Sequence, residues 1–346
     1  MNNKINLIIL GAGNVGKELV STITKDYSTS INIVLISNSK NHIHSQKGLT
    51  AESLQNFISK SNSSATFISN DIISETINKL DFTNLLAVDV SASEQTLNTL
   101  LLIKEKGGKI VLANKKPLIQ NISNFKKLTT PEIGASATVG TRIPILQTIK
   151  TNNLTIETIQ EFSGCFSGSI GFIIEKMEQG MLFSEAIYEA YKNGFTEPDP
   201  RDDLSGADIG RKALIVARFL GAELEIDDVE INPLFPNKLK SITLNNFLKE
   251  IESENEKYVN LFAQAKSKGM KVRYTGAFKD NKCVVSLCLT ESNSYLGKVK
   301  GSEKIIVFKD KDQNEIVVKA TEPGAGAKST VKDIINDIKF ITNQNI

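Results

Sequence analysis

Residues 5–10, Ile5-Asn6-Leu7-Ile8-Ile9-Leu10, form a nearly unbroken apolar run, and the apolar positions after them, Val15, Leu19, Val20 and Ile23, recur every three to four residues. A short apolar run fits a strand buried on both faces. The second spacing fits a helix with one apolar stripe. The alternation continues with predicted strands at 31–37, 85–90 and 109–113 and an apolar helix near 97–103. Strands buried on both faces and alternating with helices predict a parallel, doubly wound α/β sheet.

The pattern changes beyond this third of the chain. A strand is expected at 155–161, with helices at 170–179, 183–192 and 207–220. Between the last two stand Asn193-Gly194 and Glu197-Pro198-Asp199-Pro200. A glycine after a helix and two prolines in three residues predict an ordered, non-helical connection. Residues 241–268 are polar and helical in character. Alternating strands follow at 272–278 and 283–289, with further strands near Ile305 and Ile316 and a last helix at 330–341. This half reads as an α+β region, without internal repeats or low-complexity tracts.

A length of 346 residues suits two domains better than one core. The net charge of +2 gives no strong field, so nucleic acid is not an expected partner. No apolar run approaches the roughly 18 residues a membrane-spanning helix needs. Met1-Asn2-Asn3-Lys4 passes straight into residues 5–10, unlike a secretory leader, so a cytoplasmic protein is expected. Cys165, Cys283 and Cys288 form no paired framework, which fits a reducing compartment. Cys283 and Cys288 lie in an apolar run and read as core. The sole histidines, His42 and His44, read as a solvated loop rather than a metal pair.

Gly11-Ala12-Gly13-Asn14-Val15-Gly16 is a G-x-G-x-x-G between a predicted strand and helix. The first glycine permits a tight turn, the second admits a pyrophosphate to the backbone, and the third lets helix and strand pack closely. The helix N-terminus then offers free N–H groups to phosphate. The fold is therefore read as Rossmann-type, with a bound dinucleotide. An acid at the end of the second strand would hold an NAD ribose. Here stand Ser37-Asn38-Ser39-Lys40, two hydroxyls and a cation that suit the 2′-phosphate of NADP. The same loop also fits a protein that accepts either cofactor.

In the segment Gly194-Phe195-Thr196-Glu197-Pro198-Asp199-Pro200-Arg201-Asp202-Asp203-Leu204-Ser205-Gly206, acids and prolines crowd together. Just beyond, Asp208 and Lys212 stand four apart on one helix face. Exposed, they would form an ion pair worth roughly a few tenths of a kcal/mol. Alternatively the lysine moves the hydroxyl proton that accompanies hydride transfer. That role needs an environment opposing the carboxylate's upward pull on the lysine pKa. Spacing alone favours the exposed pair.

With this segment the chain resembles the homoserine dehydrogenase family. The likeness rests on Glu197 through Gly206 with Asp208 and Lys212. It extends over the glycine loop, Asn114-Lys115-Lys116, Thr138-Val139-Gly140, Ser167-Gly168-Ser169 and Gly324-Ala325-Gly326-Ala327. It is similar in particular to the dehydrogenase part of fused aspartate kinase–homoserine dehydrogenases. The resemblance implies a dinucleotide-binding domain at 1–137 that regains the C-terminal helix at 325–346. Residues 138–324 would form the substrate-binding and dimerisation region of a homodimer. The implied reaction is the reversible, NADPH-dependent reduction of L-aspartate 4-semialdehyde to L-homoserine, in threonine, methionine and isoleucine biosynthesis.

Carried over by position, Lys212 and Lys116 would serve proton transfer and Asp208 would steer the catalytic lysine. Glu197, Asp208 and Ser169 would bind substrate. Gly11, Gly13, Asn14, Val15, Gly16, Ser37, Lys40, Ser91, Ser93, Lys116 and Gly326 would line the cofactor. The carbonyls of Val139, Thr141 and Ile143 would form a monovalent-cation loop.

The chain departs from the family pattern at several of these places. Arg142 replaces a small residue in the cation loop, and Ser136 stands at its usual acidic ligand. Phe195 stands where tyrosine is common, Ala92 replaces a usual serine, and Pro117 follows the two lysines. Two other readings follow. One is a non-catalytic or substrate-drifted NADP-binding paralogue. The other is a semialdehyde-oxidising enzyme with Cys165 as nucleophile, which would lack a histidine base beyond His44.

Overall fold

The computed structural model describes residues 4–59, 70–80, 83–320, 324 and 326–343, so Ala325 of the late glycine motif lies outside the described residues. The chain divides into two compact units, Met1–Arg142 with Gly324–Ile346, and Ile143–Pro323.

The first unit is built on the strands β1 (Ile5–Leu10), β2 (Ile31–Ser37), β3 (His42–His44), β4 (Leu85–Asp89) and β5 (Lys109–Leu112), in the order β3-β2-β1-β4-β5. β1, β2, β4 and β5 pair in parallel, as the double-sided burial of their side chains requires. From β1 the chain steps first to β2 on one side and later to β4 on the other. The order therefore reverses between β1 and β4, and in open sheets of this kind the crevice at such a switch point takes ligand. The expected α/β architecture is present, with one addition: β3 pairs antiparallel to β2. His42 and His44 therefore belong to an edge strand and not to a solvated loop. His42 is half-buried, its Nε2 lies 3.1 Å from the Thr76 hydroxyl, and burial, with the neighbouring His44, lowers its pKa.

The core of this unit joins Leu7, Ile9, Leu19, Ile33 and Val88 to Val331, Ile334, Ile335 and Ile338 of the C-terminal helix, Gly326–Thr342. The apolar spacing of that helix presents one buried stripe to the sheet, which draws the end of the chain back to its beginning.

The second unit carries the sheet β11-β10-β6-β8-β9-β7. Its strands are β6 (Ile159–Cys165), β7 (Val229–Ile231), β8 (Met270–Lys279), β9 (Lys282–Glu291), β10 (Ile305–Asp310) and β11 (Glu315–Lys319). Neighbours pair antiparallel, except for β7 with β9. The strand expected at 155–161 begins four residues later and runs to Cys165. Thr155–Thr158 instead closes a turn, in which the Thr155 N–H donates to the Thr158 hydroxyl at 2.9 Å. Phe162 anchors the sheet, stacked on Phe278 at 5.7 Å and edge-on to Phe308 at 5.8 Å. Among the described residues, no helix is long and apolar enough to cross a membrane.

Candidate functional site

In the first unit the polar groups gather at the carboxyl ends of β1 and β4. The loop after β1 turns at Gly11 (φ +115°), where a Cβ would lie 2.7 Å from the Ser91 nitrogen. The helix α1 (Asn14–Thr22) follows at once, and a Cβ on Gly16 would lie 2.1 Å from the Gly11 carbonyl oxygen. At Gly13, the N-cap, a Cβ would meet nothing within 4 Å. Two glycines are thus required for packing, while the middle one leaves open space before the helix N-terminus. That arrangement fits a dinucleotide pyrophosphate.

Ser91 and Ser93 lie on the opposite lip, fixed by a buried carboxylate. Asp89, at the end of β4, is 0% exposed and accepts from the Ser91 N–H (2.9 Å), the Thr96 hydroxyl (2.7 Å) and the Asn114 carboxamide (3.1 Å). Asn114 also donates to the Ser91 hydroxyl and the Ser93 carbonyl, at 3.3 and 2.7 Å. Burial pushes the Asp89 carboxyl above the usual carboxylate range, against the downward pull of those hydrogen bonds. Lys116 starts a short 3₁₀ turn, Lys116–Ile119, and its Nζ lies 3.1 Å from Glu94. Gly326 opens the C-terminal helix with φ +78°.

Ser37 is buried at 3% exposure, and its carbonyl accepts the Gly11 N–H at 3.0 Å. Its hydroxyl is therefore not presented to solvent. The hairpin that follows is closed by the Asn38 side chain, which accepts from the Lys40 and Asn41 N–H groups at 2.7 and 2.8 Å. This turn leaves Ser39 exposed and Lys40 half-buried as the polar groups of the tip.

The loop 136–142 is tied to two aspartates one turn apart on the C-terminal helix. Asp337 accepts from the Ser136 N–H (2.8 Å) and hydroxyl (2.6 Å). Asp333 accepts from the Arg142 N–H (2.8 Å) and guanidinium (3.3 Å). Thr141 donates its hydroxyl to the Gly324 carbonyl at 2.9 Å. Burial pushes the Asp337 carboxyl up to about 7, opposed by the Ser136 hydrogen bonds and reinforced by Asp333 and Glu132. Of the proposed cation ligands, Val139 and Thr141 belong to this unit. Ile143 belongs to the other, where its carbonyl accepts the Ile145 N–H at 2.9 Å.

In the second unit part of the signature segment forms a short helix α3 (Pro200–Leu204), where the glycine and prolines predict a non-helical connection; α2 (Gly168–Glu178) precedes it. Asp199 caps α3 through the Arg201 N–H at 3.0 Å and Pro200 occupies its first turn, the combination that starts helices. Arg201 then reaches three carbonyls, of Leu239, Lys240 and Ile242, and pins the segment. Gly206 (φ +75°) is the N-cap of α4 (Ala207–Phe219). A Cβ on Gly206 would lie 2.2 Å from the Tyr274 hydroxyl, which itself donates to the Asn232 carbonyl at 2.9 Å.

On α4, Lys212 Nζ lies 2.7 Å from Asp208 Oδ2 and donates to the Phe166 carbonyl at 3.0 Å. Lys212 as a residue is only 9% exposed, so the reading as an exposed ion pair is corrected. The cause is the loop after β6, whose Phe166 carbonyl reaches over the ammonium. An ammonium has three donors, so two acceptors fix its direction and leave one N–H to aim. Following Phe166 in the chain, the Ser167 and Ser169 hydroxyls are 2.9 Å apart, and Ser169 donates to Asp203 Oδ1 at 2.6 Å. Asp203 Oδ2 accepts the Glu197 N–H at 2.8 Å. The unit thus brings Ser169 and Glu197 to one carboxylate. Asp203 is not singled out from the sequence: in a run of four acids within seven residues, nothing marks it before the chain folds. Phe195 is 54% exposed and packs edge-on against Phe172 at 4.9 Å. Cys165 is buried, which pushes its thiol up to about 12 and removes it as a nucleophile.

A family model described as homoserine dehydrogenase matches residues 144–338. The chain is 30% identical over 352 residues to a bifunctional aspartokinase/homoserine dehydrogenase of Haemophilus influenzae, an alignment covering 97% of this chain and 43% of that protein. It therefore spans less than half the length of that relative. It is 28% identical over 364 residues to a homoserine dehydrogenase of Schizosaccharomyces pombe, covering 98% of this chain and 96% of the other. Among solved structures, a hyperthermophilic archaeal homoserine dehydrogenase in complex with NADPH superposes with a TM-score of 0.71 at 22% identity, covering 99% of this chain and 98% of that one.

Proposed function

The chain belongs to the homoserine dehydrogenase family, and we propose that it catalyses the reversible reduction of L-aspartate 4-semialdehyde to L-homoserine with NADPH, in threonine, methionine and isoleucine biosynthesis. The observation that carries this reading is the buried ammonium of Lys212, held by the Asp208 carboxylate and the Phe166 carbonyl within the family's signature segment. NADP supplies a hydride acceptor or donor when bound. The glycine loop supports its pyrophosphate, and Ser91, Ser93, Ser39 and Lys40 offer polar groups around it. Accommodation of NADPH in a family structure supports the same cofactor here, with NAD as a poorer fit to the acid-free tip of β2.

In this reading the first unit binds the nucleotide and the second binds substrate and forms a homodimer through its sheet. Lys212 donates a proton to the aldehyde oxygen as the adjacent carbon gains hydride, and takes it back from the hydroxyl in the reverse direction. A fixed positive charge at that oxygen stabilises its alkoxide-like transition state. Asp208 holds the lysine in line. Glu197 and the Ser169–Asp203 pair receive the substrate's ammonium, as carboxylates do. Lys116 keeps both its roles, cofactor contact and proton transfer. A cytoplasmic setting is part of the proposal.

The deciding experiment is the initial rate of NADP⁺ reduction with L-homoserine, repeated with NAD⁺ at equal concentration. Turnover with NADP⁺ preferred is expected. Turnover with NAD⁺ preferred would overturn the cofactor assignment alone. No turnover from folded protein that still binds NADPH would overturn the activity.

A further inference from the structure

The two charge-changing departures in the loop 136–142 meet on one helix. Ser136 stands where the family resemblance implies an acid and Arg142 where it implies a small residue, and each is bonded to its own aspartate of Gly326–Thr342. Both carboxylates are buried, Asp333 at 7% and Asp337 at 6% exposure. Arg142 keeps a left-handed backbone, φ +64°, that costs an L-residue energy and suits glycine. The turn has thus been kept while a guanidinium has been added to it. That guanidinium is itself largely buried, its side chain 15% exposed, 3.3 Å from Asp333.

A monovalent cation held by carbonyls repays its lost hydration through their dipoles; a nearby free carboxylate helps, and a fixed positive charge beside it opposes binding. Both aspartates that bond this loop already accept donors from the loop itself. An ion entering the loop would also face a buried guanidinium of the same sign, in surroundings that screen poorly. These residues do not fit a monovalent metal ion.

We propose that the Arg142 guanidinium is the resident cation of this loop, balancing Asp333, and that the chain binds no monovalent metal ion there. The charge a family member would draw from solution is supplied here by a covalently attached side chain. The inference concerns the loop alone and stands whether or not the proposed reaction is correct.

The test is thermal unfolding in NaCl, KCl and choline chloride at matched ionic strength, for the wild-type chain, Arg142→Gln and Arg142→Lys. The wild type is expected to show the same Tm in all three salts. Arg142→Gln removes the charge and keeps the bulk. It is expected to lose about 2–5 °C in choline chloride and to recover with rising Na⁺ or K⁺. Arg142→Lys is expected to behave as the wild type does across the salts. A saturable rise of the wild-type Tm in Na⁺ or K⁺ over choline would overturn the proposal. So would an Arg142→Gln chain indistinguishable from wild type in every salt. Should Arg142→Gln not fold, the wild-type series together with ²³Na line widths decides: specific, saturable broadening refutes the inference and its absence supports it.

Discussion

Lys212 and Asp208 stand 2.7 Å apart one turn along a helix, yet the lysine side chain is 11% exposed and the aspartate 43%. The pair therefore has a buried, directed end and a wet end. An exposed pair would be worth roughly 1 kcal/mol or less, and its loss would hardly be noticed. Removal of the buried end takes away the group proposed to handle the proton. Lys212→Ala is expected to lower kcat by about 10²- to 10⁴-fold while NADPH affinity, read by fluorescence titration, stays within a few-fold. Activity retained within a few-fold would show that the lysine is structural.

Asp203 accepts from Ser169 with one oxygen and from the Glu197 N–H with the other. Asn in its place keeps the shape but presents an NH₂ to one of two donors. Asp203→Asn is expected to reduce kcat/KM for L-homoserine roughly 10- to 100-fold, the range for a lost charge-assisted hydrogen bond. The measurement is a steady-state comparison alongside a melting curve. An unchanged kcat/KM would remove Asp203 from the positioning of the site.

A Cβ at Gly206 meets two obstacles, the φ of +75° and the Tyr274 hydroxyl at 2.2 Å. Gly206→Ala is expected to destabilise by about 2 kcal/mol or more in urea unfolding. Tyr274→Phe removes the obstructing oxygen, so the double variant should recover part of that loss as a coupling term. Strict additivity of the two changes would contradict the packing described.

The pH dependence of stability follows from Asp337. Its carboxyl is raised to about 7 in the folded chain from 3.8. Between these values the folded state holds a proton that the unfolded state has released. Stability from this group therefore falls as pH rises from about 4 to about 7 and is lowest above it. Asp337→Asn should flatten that slope, gaining on the wild type most at pH 8 and least at pH 5 in urea unfolding. Parallel curves for the two proteins would contradict the assignment. Asp89, also raised by burial, acts in the same direction in both.

Much of this structure could be read from spacing. The runs that became β1, β2, β4 and β5 are short and apolar, and burial on both faces leaves such sequences few alternatives. The glycine loop was legible too, since Gly11 and Gly16 answer steric demands and Gly13 leaves open space before the helix. The start of β6 was not. The β-branched Thr155, Ile156 and Thr158 favour a strand on propensity, but the hydroxyls of the two threonines close a turn. The true strand instead contains Gly164, needed because a Cβ there would lie 2.7 Å from the Phe166 ring. Such a contact exists only after folding. The same holds for Lys212, whose burial comes from the carbonyl of Phe166, 46 positions earlier. The histidine edge strand was hidden by its polarity, because an edge strand needs no apolar run to pair.

The C-terminal helix supplies Val331, Ile334, Ile335 and Ile338 to a core whose other members lie between Ile5 and Ala137. The second unit is contiguous, Ile143–Pro323, and the first is not. On a ribosome, this order matters. The parallel sheet of the first unit is made before the second unit, yet one apolar face stays uncovered until the helix Gly326–Thr342 has followed. The part made in the middle can be finished before the part made at the start. The contiguous unit can therefore close while the strands β1–β5 still expose apolar surface, the kind of surface that chaperones shield.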